Sequence, residues 1–189
     1  MRESFMTKKN TLLIAVVCIL SVLVLALAVI LVLEATGVLY GDDGKPVITP
    51  PERDGSAVIK DTEYNYALLK DGTVIITACA LPSDVTEITV PETLGGYKVS
   101  AIGDSALAFY TSIRTITIPE GVTYIGTNAF FGAMNATLYL PSTVTQIDDG
   151  ALSGFDEPAG IYFAGSAEQW ASVIVGDNNS ALARVQFRG

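Results

Sequence analysis

The side chains in this sequence that could do chemistry are few and poorly grouped. Two adjacent carboxylate pairs, Asp148-Asp149 and Asp156-Glu157, have the residue types of a glycosidase acid and base, or of weak calcium ligands. Both pairs sit in turn-like contexts, where solvated charge is the ordinary role. Neither has the spacing of a dedicated calcium loop. The chain contains no histidine, which excludes a Ser–His or Cys–His nucleophile pair and histidine metal ligation. Cys18 and Cys79 are its two cysteines, too few for a thiolate zinc site. No Gly-x-x-x-x-Gly-Lys-Ser/Thr phosphate loop occurs. The expectation is therefore no catalytic residues, no cofactor and no metal. What remains for function is hydroxyls and aromatic rings, whose value depends on the scaffold that spaces them.

That scaffold is a repeat. Ile116-Thr-Ile118-Pro119-Glu-Gly-Val122-Thr-Tyr-Ile125-Gly126-Thr-Asn-Ala129-Phe130 aligns without a gap on Leu138-Tyr-Leu140-Pro141-Ser-Thr-Val144-Thr-Gln-Ile147-Asp148-Asp-Gly-Ala151-Leu152. A looser copy runs from Ile88-Thr-Val90-Pro91 to Ile102-Gly103-Asp-Ser-Ala106-Leu107. Steps of about 20–30 residues indicate a solenoid whose coils bury their apolar faces only by stacking. Each apolar–x–apolar triplet reads as a short strand with two side chains inward and one outward. Proline ends the strand because it cannot donate the next ladder hydrogen bond. Ile125 and Ile147 return to the core on the far side. Ala129 and Ala151 permit close packing there. The first step is longer because Leu94-Gly95-Gly96-Tyr97-Lys98-Val99 is inserted, with the glycine pair as a turn.

Both ends of a solenoid need covering. Tyr64–Leu69 and Thr73–Ala78 flank Lys70-Asp71-Gly72, a hairpin signal that serves as the N-terminal cap. Ser166 is a plausible N-cap for a short amphipathic helix that carries Trp170, and Val185-Gln-Phe187 supplies a last strand. Trp170 is expected as a lid residue over the last coil. The domain boundaries read from these signals are 61–189 for the repeat domain. It divides into a hairpin cap at 61–85, repeats at 86–160 and a C-terminal cap at 161–189.

Leu12 to Leu33 is 22 residues without a charge, enough for a transmembrane helix across a ~30 Å hydrocarbon core. Arg2, Lys8 and Lys9 precede it and Glu34, Asp42 and Asp43 follow it. This orients residues 1–11 to the cytoplasm and the repeat domain outward. The span is longer than an ordinary signal-peptide core, which favours an uncleaved single-pass anchor in the cell membrane. Cleavage after Ala26-Leu27-Ala28, leaving a secreted domain, is the alternative. Residues 34–60, rich in glycine and proline, read as a flexible stalk. From Glu34 onward, 19 acidic residues face 8 basic ones, a net of −11 that argues against nucleic acid as a partner.

The repeat at 116–130, its variant at 138–152, the Gly95-Gly96-Tyr97 entry and the Tyr162-Phe-Ala-Gly165-Ser-Ala-Glu-Gln-Trp170 segment resemble the BspA-like leucine-rich repeat family of bacterial surface proteins. The resemblance covers about residues 64–189. It implies a mostly-β solenoid with short parallel strands on the concave face and an irregular or short helical convex side. It also implies adhesion or binding at a bacterial surface.

Alternation then names the candidate site. With Ile88/Val90, Ile116/Ile118, Leu138/Leu140, Ile161/Phe163 and Val185/Phe187 inward, the outward residues are Thr89, Thr117, Tyr139, Tyr162 and Gln186. These five are expected to form one ladder, with Tyr139 and Tyr162 as neighbouring rings suited to sugar rings or peptide side chains. The expected partner is a protein or a glycan. Self-association or packing against another envelope protein is the alternative.

Overall fold

The computed structural model describes Gly44 and residues 50–56, 58–60, 63–155 and 159–189. The run Leu12–Leu33, read as a membrane anchor, lies outside the described residues, as do the pair Asp156-Glu157 and most of the stalk. Among the described residues no helix is long and apolar enough to cross a membrane. The compact unit Ile48–Gly189 contains the elements below.

In chain order these are β1 (Tyr64–Leu68), β2 (Val74–Cys79), β3 (Glu87–Thr89), β4 (Thr93–Leu94), β5 (Tyr97–Ile102), β6 (Thr115–Thr117) and β7 (Tyr124–Ile125). There follow β8 (Thr137–Leu140), β9 (Gln146–Ile147), β10 (Gly160–Phe163), α1 (Ala167–Trp170), β11 (Ile174–Val175), a 3-10 turn (Ser180–Arg184) and β12 (Gln186–Phe187). The β1–β2 hairpin is antiparallel, with Gly72 in the left-handed conformation its turn requires. The inserted Gly95-Gly96 closes a second small hairpin, β4 against β5.

Two sheets enclose the core. One has the order β12-β10-β8-β6-β3, parallel throughout, and is built from the apolar–x–apolar triplets. The other has the order β1-β2-β5-β7-β9-β11. The return side, expected to be irregular or short helical, therefore carries a second sheet. Its rungs repeat one bond: the N–H of Gly103, Gly126, Asp148 and Gly176 donates at 2.8 Å to the carbonyl of Ile76, Ile102, Ile125 and Ile147 respectively. Such short rungs escape detection by alternation because two residues show no period.

Ile102, Ile125 and Ile147 are fully buried between the sheets, and Ala106, Ala129 and Ala151 pack with Leu107, Phe130 and Leu152 at the third corner. The residue before each of these alanines is left-handed, as is Asn178 before Asn179 in the C-terminal cap: Ser105, Asn128, Gly150 and Asn178 all have φ between 53° and 61°. Asn and Gly tolerate that region best, which accounts for the small polar residues at the position.

The ends are capped as the residue types imply, with two differences. Ser166 accepts from Gln169 N while Gln169 Oε1 accepts from Ser166 N, a reciprocal capping box that starts α1. α1 places Trp170 edge-on to Phe163 at 5.1 Å. Phe187, expected inward, is 42% exposed, because β12 has a neighbour on one side only. At the other end, residues read as the last part of the stalk run along β1. Ile59 exchanges both backbone hydrogen bonds with Tyr66, Asp54 N donates to Leu68 O at 3.1 Å, and Glu52 pairs with Lys70. This segment shields the free edge of β1, which a sheet otherwise leaves open to unwanted pairing.

Candidate functional site

All five outward residues fall on one line. Thr89 pairs with Thr117, Thr117 with Tyr139, Tyr139 with Tyr162 and Tyr162 with Gln186. The in-register parallel pairing follows from coils of nearly equal length. Thr89 and Gln186 are exposed, and Thr117, Tyr139 and Tyr162 are half-buried. The inward partners on the same strands, Ile116, Leu138 and Ile161, are buried, so the sheet has one core face and one open face.

Tyr139 and Tyr162 stack, with ring centres 5.3 Å apart and planes 16° from parallel. Arg188 joins them. Its guanidinium carbon lies 3.9 Å from the Tyr162 ring centre and 4.9 Å from that of Tyr139. A cation at this range is held by both ring quadrupoles. Beside the pair lies a cleft of about 310 Å³ lined in part by Leu140 and Pro141, with Thr117 and Glu120 at one end and Arg188 at the other. Glu120 accepts from Ser142 N at 3.0 Å and from the Ser142 hydroxyl at 3.1 Å, which fixes its carboxylate at the rim.

Arg188 and Glu120 do not follow from the triplet pattern as read. The signal for Arg188 was present: alternation from Gln186 through Phe187 puts position 188 outward again. Glu120 lies after the strand-ending proline, where no period predicts direction.

Among the described residues, the other candidate groups, Asp148, Asp149 and Cys79, have structural surroundings. Asp148 Oδ2 accepts from the Tyr124 hydroxyl at 2.9 Å, and Asp149 Oδ1 accepts from Asp177 N at 2.7 Å. The adjacent carboxylates therefore bind two different neighbours and do not converge on a common point. Burial, and next Glu63, push the Cys79 thiol up to about 12, which keeps it protonated and unreactive. On another face Phe109 is 75% exposed, meets Phe131 edge-to-face at 5.5 Å, and has Met134 exposed on the following turn.

The BspA-type leucine-rich repeat region matches residues 74–172, in six copies. The chain belongs to the BspA-type leucine-rich repeat family. Six copies exceed the three evident in the sequence, and the sheets show where extra rungs lie. β2 within the hairpin cap and β11 within the C-terminal cap each add a strand to the return sheet. No curated protein matches the chain. Among solved structures, a leucine-rich repeat protein from Bacteroides capillosus is similar at 24% identity and a TM-score of 0.55, over 71% of this chain and 100% of that one. That likeness shows the fold. A leucine rich cell surface protein from Faecalibacterium prausnitzii is similar at 28% identity and a TM-score of 0.48, over 58% of this chain and 34% of that one. A T. pallidum leucine-rich repeat protein is similar at 21% identity and a TM-score of 0.49, and the chain spans 56% of its length.

Proposed function

We propose that this leucine-rich repeat domain is a binding module displayed outside a bacterial cell, and that the Thr89–Gln186 ladder is its contact surface. The observation that carries the reading is the stacked Tyr139–Tyr162 pair on an open face with a cleft beside it. Paired aromatic rings with hydroxyls, partly exposed, are the side chains most able to bind either a protein or a sugar. The run Leu12–Leu33 would hold the domain at the membrane, with the N-terminus cytoplasmic and part of residues 34–60 as a spacer. The role this reading assigns is interaction; among the described residues no nucleophile–base pair or converging carboxylate pair lines the cleft.

The test is a binding screen of the protein against matrix proteins, envelope fractions and glycans, repeated with Tyr139→Ala/Tyr162→Ala. Loss of the captured partner in the double variant supports the ladder. Unchanged capture by a properly folded double variant ends it.

A second reading, packing against another envelope protein or a second copy, has one observation in its favour. Phe109 exposes its ring while its backbone holds φ 72°, a conformation bulky residues rarely adopt. Sedimentation of wild type beside Phe109→Ser separates the readings: a dimer dissolved by that change favours self-association.

A further inference from the structure

The cleft carries a cation, Arg188, that has no ion-pair partner among the described residues. The ion pair among the described residues is Lys70–Glu52, far along the chain from Arg188. Arg188 is exposed and lies against Tyr162 and Tyr139, a placement that restrains a long side chain while leaving its in-plane N–H fork free. That fork matches a carboxylate bidentately.

The other groups around the cleft narrow the ligand. Ile118 N donates to Tyr139 O, Ala164 N to Leu140 O and Arg188 N to Phe163 O, each at 3.0 Å. The strand amides are thus engaged in the ladder, and an extended peptide finds none of them to pair with. The hydroxyls of Thr117, Tyr139 and Tyr162 make no hydrogen bond to a described residue, so they are available in a cleft whose lining also includes Ile118, Leu140 and Pro141. A ring with several hydroxyls fits that combination better than a peptide backbone does. Glu120 at the far end accepts hydroxyl donors and repels a second anion. The chain's net charge of −9 likewise opposes a dense polyanion.

We infer that the cleft binds an acidic sugar through a single ring carboxylate. Arg188 pairs with the carboxylate, Tyr139 and Pro141 support the ring, and Glu120 and Thr117 take its hydroxyls. This inference rests on the ladder reading above and names its ligand class. The sequence alone points elsewhere, since an acidic domain suggests no affinity for an anion. One stacked guanidinium makes the exception local.

The test uses the full chain in a neutral detergent, titrated with sialyllactose, digalacturonic acid, lactose and the methyl ester of sialyllactose. Expected is binding of the two acids at least about ten-fold tighter than lactose or the ester, a ratio one charge-assisted pair supplies. Arg188→Gln is expected to erase that preference, and Arg188→Lys to restore part of it. Equal binding of lactose and sialyllactose overturns the inference, as does an acid preference unchanged in Arg188→Gln. So does Arg188-dependent capture of a glutamate-rich peptide with no sugar bound. If no sugar binds while Tyr139→Ala/Tyr162→Ala still abolishes capture of a screened partner, the inference falls and the ladder stands.

Discussion

The Tyr124 hydroxyl donates to Asp148 Oδ2 at 2.9 Å, joining one coil to the next. Asp148 occupies the position held by glycine in the neighbouring coils at Gly126 and Gly176, so this bond gives the departure from the repeat a structural role. Burial, and next the Asp148 bond, push the Tyr124 phenol well above its ordinary range. Burial does the same to Tyr64 in the hairpin cap. A folded-state pKa raised above the unfolded value near ~10 gives stability that is complete below that pH and lost as pH rises through it. Urea unfolding midpoints are therefore expected to hold from pH 7 to about 8, to begin falling as pH passes the ordinary thiol range because of Cys79, and to fall further above about pH 10 because of the tyrosines. Tyr124→Phe should flatten that fall and lower neutral-pH stability by about 1 kcal/mol for the lost bond.

Coil stacking is close at Gly126. A Cβ there would lie 2.5 Å from Asp104 Oδ1 and 2.8 Å from Asp104 N, and that backbone cannot retreat without moving a rung. Gly126→Ala is expected to destabilise by about 3 kcal/mol or more. Gly72→Ala, with nothing within 4 Å but φ at +82°, should lose only about 1 kcal/mol from backbone strain. Equal denaturation midpoints for the two variants would contradict this ranking.

Asn179 is the buried polar residue of the core and ties the C-terminal cap to the last coils. Its Oδ1 accepts from Leu152 N at 3.0 Å, and its Nδ2 donates to Asp148 O at 2.8 Å and Gly176 O at 3.0 Å. Asn179→Ala leaves the Leu152 N–H and the Gly176 carbonyl without the partner Asn179 gives them, while Asp148 O keeps Ala151 N, for an expected loss of about 2 kcal/mol. Asn179→Asp keeps the acceptor and loses the donors, so it should not rescue. Hydrogen exchange of Leu152 N–H is the direct readout and should accelerate in Asn179→Ala, where its acceptor is gone, more than in Asn179→Asp, which keeps it.

Phe109 stands where the following coils have Gly132 and Gly154, and all three positions have φ between 72° and 92°. Phe109→Gly relieves a left-handed phenylalanine worth about 1–2 kcal/mol and loses one ring contact of about 1 kcal/mol. Thermal stability should therefore change little, by a few degrees at most. A large loss would mean that the exposed ring matters to the fold, which its placement argues against.

The Tyr139–Tyr162 pair is on the open face, so its removal should spare the scaffold. Tyr139→Ala/Tyr162→Ala is expected to reduce stability by about 1 kcal/mol with an unchanged far-ultraviolet circular dichroism spectrum. A collapsed spectrum would show that the pair helps build the sheet and would remove it as a clean probe of binding.

The legible parts of this protein are those with local causes. Apolar–x–apolar followed by proline gives a strand and its end from four residues. The near-equal spacing of Ile118, Leu140 and Phe163 then fixes which strands are neighbours. From those two facts the order and side of Thr89, Thr117, Tyr139, Tyr162 and Gln186 follow. The rungs of the second sheet are two residues long, too short to show a period, and their assignment needs the bonds from Ile76 to Ile147 that only stacked coils make. Phe187 misled for the related reason that an inward position is buried only if another coil covers it.

By itself the sequence determined the coil and the open-face ladder, because alternation and a fixed repeat act over a few residues. Tertiary structure alone decided what touches the ladder. It brought Arg188 onto two rings from coils earlier in the chain, set Glu120 at the opposite rim, and laid residues 52–54 and Ile59 along β1 and the residues just after it. Each of these depends on how separate segments meet in space. A repeat fixes the distance between coils, but the long side chains and the connecting segments take their places only against the finished surface.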